Sequence, residues 1–249
     1  MDQAYTEEFA RLALELHEQP GVPETIEVVL GFALRAVAAD AASVLLLPSG
    51  KRGSAVELTE VTGGKAAQAD QLQLDCGEGP CIAPSPEAGS IIVHDTLTDQ
   101  RWPTWSKRIA TELGIRSVLS VRLHTTSTVI GALNLYDAEP HRFDRDDDAV
   151  AHVLARHAAI ALARSRHEAS LWEAIDARKL IGQAQGILME RFGLDDEQAF
   201  AVLRRYSQDN NIKLRVVAER LISTRQLPNP AASESASGAE SRTTVGKAD

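Results

Sequence analysis

Apolar residues recur along the chain at two spacings, and the change from one to the other sets out its organisation. Phe9, Leu12, Ala13 and Leu16 fall at helical intervals and predict a short amphipathic helix, which Pro20-Gly21-Val22-Pro23 ends. Ile26, Val29, Leu30, Ala33 and Val37 predict a second helix from Thr25 to Ala39. The continuous run Ala42 to Leu47 predicts a buried strand closed by Pro48-Ser49-Gly50, and Val56, Leu58 and Val61 mark its antiparallel partner. Ser90 to Val93, Ser117 to Leu123 and Val129 to Tyr136 supply three further strands, the last two joined as a hairpin through His124–Thr128. A helix first, then strands with hairpins and inserted helices, predicts an α+β domain with an antiparallel sheet and flanking helices, not a doubly wound sheet.

From Arg145 to Phe192 there is no proline, and no glycine before Gly182. One continuous helix over that span would be about 70 Å long at ~1.5 Å per residue. Val150, Val153, His157 and Ile160 start a 3-4 seam. Leu171, Ala174 and Ile175 resume it after the polar stretch Arg164 to Glu168. A parallel coiled-coil homodimer is expected from this pattern; the alternative is two helices with a joint near Ser165–Ser170. Further on, Ala177, Leu180, Ile181, Ala184, Ile187 and Leu188 form a helical stripe, and Gly193 stops it. Asp195 with Gln198 is a capping-box pattern opening a helix that buries Ala199, Val202, Leu203 and Tyr206. A third helix follows from about Lys213, with Leu214, Val217, Ala218 and Leu221 inward. Three such short faces can be buried only against each other, so this part is an all-α three-helix bundle. The expected boundaries are an N-terminal helix at 1–21, a domain at 22–165, a linker helix at 145–175, the bundle at 170–225 and a disordered Ser/Ala/Pro-rich tail at 227–249.

Charge changes the picture. Residues 1–168 hold 15 Lys and Arg against 24 Asp and Glu, whereas residues 198–227 hold 6 against 2. A polyanion would be repelled by most of the chain and tolerated only at the C-terminal helices, although a solvated helix face has the same composition. Two cysteines are no disulfide framework. The acidic N-terminus with no apolar stretch after it, and the lack of any run near the ~18 apolar residues of a membrane span, predict a cytoplasmic protein with no membrane partner.

Gly77-Glu78-Gly79-Pro80-Cys81, Asp99 to Pro103, Gly114 to Ser120 and Gly131 to Tyr136 resemble a GAF domain across roughly 22–165. The resemblance implies a sensor of a small molecule or of redox state. Members that bind cyclic nucleotides carry Asn-Lys and then Phe-x3-Asp-Glu. Here Leu135 follows Asn134, and Phe143 leads to Asp147-Asp148, so that ligand is not inferred. Nor is a bilin or any other cofactor, and two cysteines without further close ligands argue against zinc. Ala184 to Met189, Glu197 to Phe200, Leu203 to Ser207, and Asn211 to Leu214 with Val217-Ala218 resemble an ANTAR domain. That resemblance implies RNA-binding antitermination by a dimer that reads paired stem-loops of a nascent transcript, with RNA polymerase affected only indirectly. The family often has Lys where this chain has Gln185.

The candidate RNA contacts are Arg204, Arg205, Lys213 and Arg215 for phosphates, and Gln185, Ser207 and Asn211 for exposed bases. Gly186 is expected to permit close helix approach. In the first domain Cys76 and Cys81 could be redox-active if the Gly-rich turn lowers a thiol pKa, and Trp102 and Trp105 could stack on a ligand. The plainer readings are turn glycines, small core cysteines and aromatic packing. GAF enzymes that reduce free methionine sulfoxide normally use a third cysteine, and this sequence holds no other catalytic constellation, so no enzyme is expected. A receiver domain is excluded by the lack of an acidic pair after the first strand. The remaining rivals are a helix-turn-helix DNA binder and a sensor whose C-terminal module binds protein.

Overall fold

A computed structural model describes residues 3–47, 57–61, 64–82, 89–126 and 128–226. The expected turn at Pro48–Gly50, the strand position Val56 and the tail from Leu227 lie outside these residues. The chain divides into two compact units, 1–169 and 170–249.

In the first unit, helices α1 (Gln3–Glu18) and α2 (Val22–Val37) precede strand β1 (Ala41–Leu46). Then come β2 (Glu57–Val61), α3 (Gly64–Cys76), β3 (Ser90–Val93), α4 (Pro103–Leu113), β4 (Ser117–His124) and β5 (Val129–Asp137). Every strand pairing is antiparallel, in the order β2-β1-β5-β4-β3. The sheet separates two apolar layers. On one side Ala42, Val44, Leu46, Leu119, Val121, Leu123, Leu133 and Leu135 pack against α1, α2 and the first part of α5 (Arg145–Phe192). On the other, Ala41, Val118 and Tyr136 pack against Ala66, Ala69 and Leu72 of α3 and Trp105 and Ile109 of α4. Strand alternation produces this split, because neighbouring residues face opposite sides.

Two details depart from the sequence reading. The second helix begins at Val22, because Pro23 fits the first turn, where its missing N–H has no helical partner to lose. It also stops at Val37, where Ala38 takes the left-handed conformation at φ 51°. Helix α3 has no counterpart in the hydrophobic pattern. Its buried residues include Asp70 and Gln73 alongside Ala66, Ala69 and Leu72, so its inward face is half polar.

The long helix is continuous over the expected 145–192 span. Ala151, Leu154, Ala155, Ala158, Ala159 and Leu162 enter the first unit's core. Of the expected seam, Val150 and Val153 are half-buried against that core, and His157 stacks on Phe9 of α1 with ring centroids 6.2 Å apart. Ile160, Leu171, Ala174 and Ile175 are exposed, Ile160 by 65% and Ile175 by 56%.

In the second unit, the end of α5, α6 (Asp196–Asp209) and α7 (Leu214–Thr224) bury Ala184, Leu188, Ala199, Leu203, Val217, Ala218 and Leu221 together. The capping box is formed in full: Gln198 N donates to Asp195 Oδ1 at 2.8 Å and Asp195 N to Gln198 Oε1 at 3.1 Å. Such a cap is worth about 1 kcal/mol, a useful share of the stability of so small a core. Gly186 does not serve a close helix approach within this unit. It is exposed, and a Cβ there would meet nothing within 4 Å.

Candidate functional sites in the two units

The α3–α4 side of the sheet carries a connected set of buried polar side chains centred on Asn134 of β5. Its Oδ1 accepts from Cys81 Sγ at 2.7 Å and from Ser120 Oγ at 2.8 Å. Its Nδ2 donates to Asp70 Oδ1 at 3.0 Å and to Ser43 Oγ at 3.3 Å. Tyr136 Oη also donates to Asp70 Oδ1, and Gln73 Nε2 donates to Tyr136 Oη and to Cys81 Sγ, both at 3.3 Å. The other carboxylate oxygen, Asp70 Oδ2, is buried with no hydrogen-bond partner among the described residues. Burial pushes the Asp70 carboxyl up to about 6, against the opposing pull of the neighbouring Ser43, Tyr136 and Asn134 side chains.

Beside this network opens a cavity of about 320 Å³. Apolar side chains make most of its wall, among them Leu45, Ile82, Ile91 and Val129, and Cys81, Ser120 and Arg122 bring polar atoms to it. Gly131 also lines it, and a Cβ there would stand 1.9 Å from the Leu45 carbonyl oxygen. Only glycine allows β5 and β1 to meet at that point.

The Gly-rich turn after α3 is architectural. Gly79 has φ 139°, and a Cβ on it would lie 2.4 Å from Gln73 Oε1, the atom that accepts from Cys81 N at 3.0 Å. Between the glycines, the Glu78 carboxylate accepts from Thr104 N at 2.9 Å and Trp105 N at 3.1 Å, which caps α4. These bonds, with that from Trp105 N foremost, hold its pKa below the usual range.

The expectation of a lowered thiol pKa at Cys81 fails. Burial, with the nearby Asp70 charge second, pushes Cys81 up to about 12, so the group is a neutral hydrogen-bond donor and not a thiolate. Cys76 is also a free thiol, and its Sγ accepts from Arg108 Nη1 at 3.6 Å. Trp105 is fully buried and meets Trp102 edge-on at 6.0 Å, while the Arg101 guanidinium lies 4.7 Å over the Trp102 ring. Neither tryptophan lines the cavity; of the four candidates in this unit, only Cys81 does.

In the second unit the candidate RNA contacts divide by what already holds them. Gln185 Nε2 donates to Asp196 Oδ1 at 2.7 Å, which ties α5 to the start of α6. Ser207 Oγ donates to the Ile212 carbonyl at 2.6 Å and closes the α6–α7 turn. Asn211 occupies the left-handed region at φ 51° in that turn, which asparagine tolerates. Arg205 pairs with Asp209 at 3.5 Å, both well exposed. Arg215 pairs with Glu219 at 2.8 Å, and that carboxylate raises its pKa, helped by Glu173 and Asp176. Arg204 and Lys213 are exposed and have no ion pair among the described residues. The exposed Arg220 is a third such cation.

Sequence reasoning missed Asp70, Ser43, Ser120 and Arg122, and did not give Glu78 its capping role. The one available signal was in β4, where Ser120 and Arg122 are the polar positions, two apart, in the otherwise apolar Val118–Leu123 run.

The family model for the GAF domain matches residues 20–163, and that for the ANTAR domain matches 169–222. A curated relative, the nitrate regulatory protein of Klebsiella oxytoca, is 26% identical over 130 residues, covering 49% of this chain and 33% of its own. The chain therefore spans about a third of the length of that relative. Among solved structures, the GAF domain of a phosphoenolpyruvate-protein phosphotransferase from Coxiella burnetii is similar at TM-score 0.52 and 21% identity. It covers 65% of this chain and 94% of that one. The free methionine-R-sulfoxide reductase of Neisseria meningitidis gives TM-score 0.51 at 18% identity, covering 68% and 95%. At these identities both likenesses concern the fold alone.

Proposed function

Because the chain belongs to the GAF domain family and carries an ANTAR domain after it, we propose that this regulator binds RNA through its second unit and senses a small molecule through its first. The observation that carries the RNA reading is the pair of exposed cations Arg204 and Lys213, without an ion pair among the described residues, in a stretch (198–227) whose two acidic residues, Asp209 and Glu219, are both paired with arginines. Asp195 caps α6, Asp196 accepts from Gln185, and Glu219 and Asp209 pair with arginines. Phosphates take up the free cations, and Asn211 supplies a polar side chain beside them. The target is a pair of stem-loops in a nascent transcript, and the outcome is antitermination, with RNA polymerase affected only through the RNA.

The protein acts in the cytoplasm as a homodimer joined along the exposed Leu171 and Ile175 side of α5. Two weakly binding modules become effective when linked, since the second contact is intramolecular. The sensor half is supported by the cavity with polar side chains in its wall on the α3–α4 side of the sheet. The test is binding of the full chain to a panel of two-stem-loop RNAs, single stem-loops and duplex DNA. Selective binding of the paired loops is expected. Equal weak binding to every nucleic acid overturns the antitermination reading.

A further inference from the structure

The cavity of the first unit has a polar pattern specific enough to define the class of molecule it takes. Its volume, about 320 Å³, sits at the low end of the range of small-molecule sites, roughly 300–1,000 Å³. Arg122 lines it, is half-buried, and forms no ion pair or side-chain hydrogen bond among the described residues. Its backbone is fixed, since Arg122 N donates to the Gly89 carbonyl at 2.9 Å and the residue stands in register with Ala132. A half-buried guanidinium beside a largely apolar cavity, unpaired among the described residues, is free to take a partner from a bound molecule.

The other polar groups of the wall are already committed. Ser120 Oγ and Cys81 Sγ both give their hydrogens to Asn134 Oδ1. Ser90 Oγ, also on the wall, is engaged with His152 Nε2 at 3.1 Å. The cavity therefore offers fork-shaped donors at Arg122 and, two residues along the same strand face, a hydroxyl lone pair at Ser120. That separation is about 6.6 Å along a strand. The complement is an anion at one end, an apolar body, and an N–H or O–H donor towards the other end.

We propose that the sensor ligand is a small organic carboxylate with an apolar body, held by Arg122 in a two-pronged ion pair. The inference rests on reading the first unit as a small-molecule sensor and assigns that site its ligand class. Leu45, Ile82, Ile91 and Val129 cover the body of the molecule, and Ser120 accepts from a hydroxyl or amine at its far end.

The test titrates the full chain by calorimetry with phenylacetate, 4-hydroxyphenylacetate, phenylacetamide, phenyl phosphate and inorganic nitrate, using wild type and Arg122→Gln. The variant is first checked for an unchanged melting profile and circular dichroism. Expected are saturable binding of phenylacetate, tighter binding of its 4-hydroxy form, and at least tenfold weaker binding of the amide. Arg122→Gln is expected to lose at least tenfold for the carboxylates and to leave the amide unchanged. Equal binding of acid and amide, or full carboxylate affinity in Arg122→Gln, overturns the proposal while the sensor reading stands. Binding of phenyl phosphate but not phenylacetate overturns the carboxylate assignment, and binding of nitrate alone overturns the apolar body. If none of the five binds, the carboxylate proposal falls, while the sensor reading, which rests on the cavity, stands.

Discussion

Asp70 of α3 and Asn134 of β5 are 64 positions apart in sequence and meet at 3.0 Å, Asn134 Nδ2 donating to Asp70 Oδ1. The contact fastens a helix with little apolar surface of its own to a central strand. A carboxyl buried with one oxygen unpartnered among the described residues is better off protonated, so its pKa rises to about 6. Between the ordinary value of 3.8 and about 6, the folded chain holds a proton that the unfolded chain has released. Stability from this group is therefore complete below about pH 4 and is lost as pH rises through 6. Asp70→Asn removes the titration. The difference in unfolding free energy between wild type and Asp70→Asn, followed by urea melts, should move in favour of the variant by on the order of 2–3 kcal/mol between pH 4 and 7. A flat difference would show that Asp70 ionises at its ordinary value.

Cys81 donates its thiol hydrogen to Asn134 and so should resist alkylation. With its pKa at about 12, the thiolate fraction at pH 8 is roughly a thousandfold below that of an ordinary thiol. Iodoacetamide labelling followed by mass spectrometry should show Cys81 protected in the folded chain and modified in urea. Rapid labelling of the native protein would refute the hydrogen-bonded thiol.

Among the exposed cations, Arg204 and Lys213 make a quantitative claim about salt. If Arg204 and Lys213 each neutralise one phosphate, replacing both with alanine should weaken RNA binding across all sequences tested. It should also reduce the slope of log K against log salt by roughly 1.5–2. Ser207→Ala should act differently, lowering stability through the lost bond to the Ile212 carbonyl by about 1 kcal/mol, with the salt slope unchanged. A Ser207→Ala protein of wild-type stability would show the turn bond to be idle.

The exposed apolar side of α5 predicts self-association. Leu171→Glu with Ile175→Glu should convert a dimer to a monomer in light scattering while the bundle core, built from Ala184, Leu188 and their partners, stays folded. A wild-type chain that is monomeric at tens of micromolar, about the level at which a modest seam would still hold, would remove the dimer from the proposal.

What could be read from the sequence follows from what is local. The stripe from Leu180 to Leu188, the capping box at Asp195 and Gln198, and the alternation in β4 and β5 each express one element's own contact with a core, and all appear in the fold. Helix α3 is not legible in the hydrophobic pattern because its inward face mixes Ala66, Ala69 and Leu72 with Asp70 and Gln73. Its burial depends on partners, Asn134 and Tyr136, that lie 64 and 66 residues away. At Cys81 the plainer reading, a core cysteine, agrees with its burial and raised pKa, and the redox alternative fails for the same reason. A Gly-rich turn next to a cysteine looks like a set of amides that would stabilise a thiolate, but the anion available nearby is Asp70, supplied by another element. Gln185 and Ser207 each hold a hydrogen bond within the bundle, to Asp196 and to the Ile212 carbonyl, that the sequence does not show.

The contact between Gly131 and the Leu45 carbonyl also constrains any redesign of the sensor. The depth of the cavity at that point is set by two backbones in contact, so side-chain exchange cannot deepen it, and any residue larger than glycine would force the strands apart. Variation in what the site accepts must come from its walls at Leu45, Ile82, Ile91 and Val129 and from the charge at position 122. A library confined to those five positions would explore new ligands on an unaltered foundation, whereas one that included position 131 would mostly collect unfolded chains.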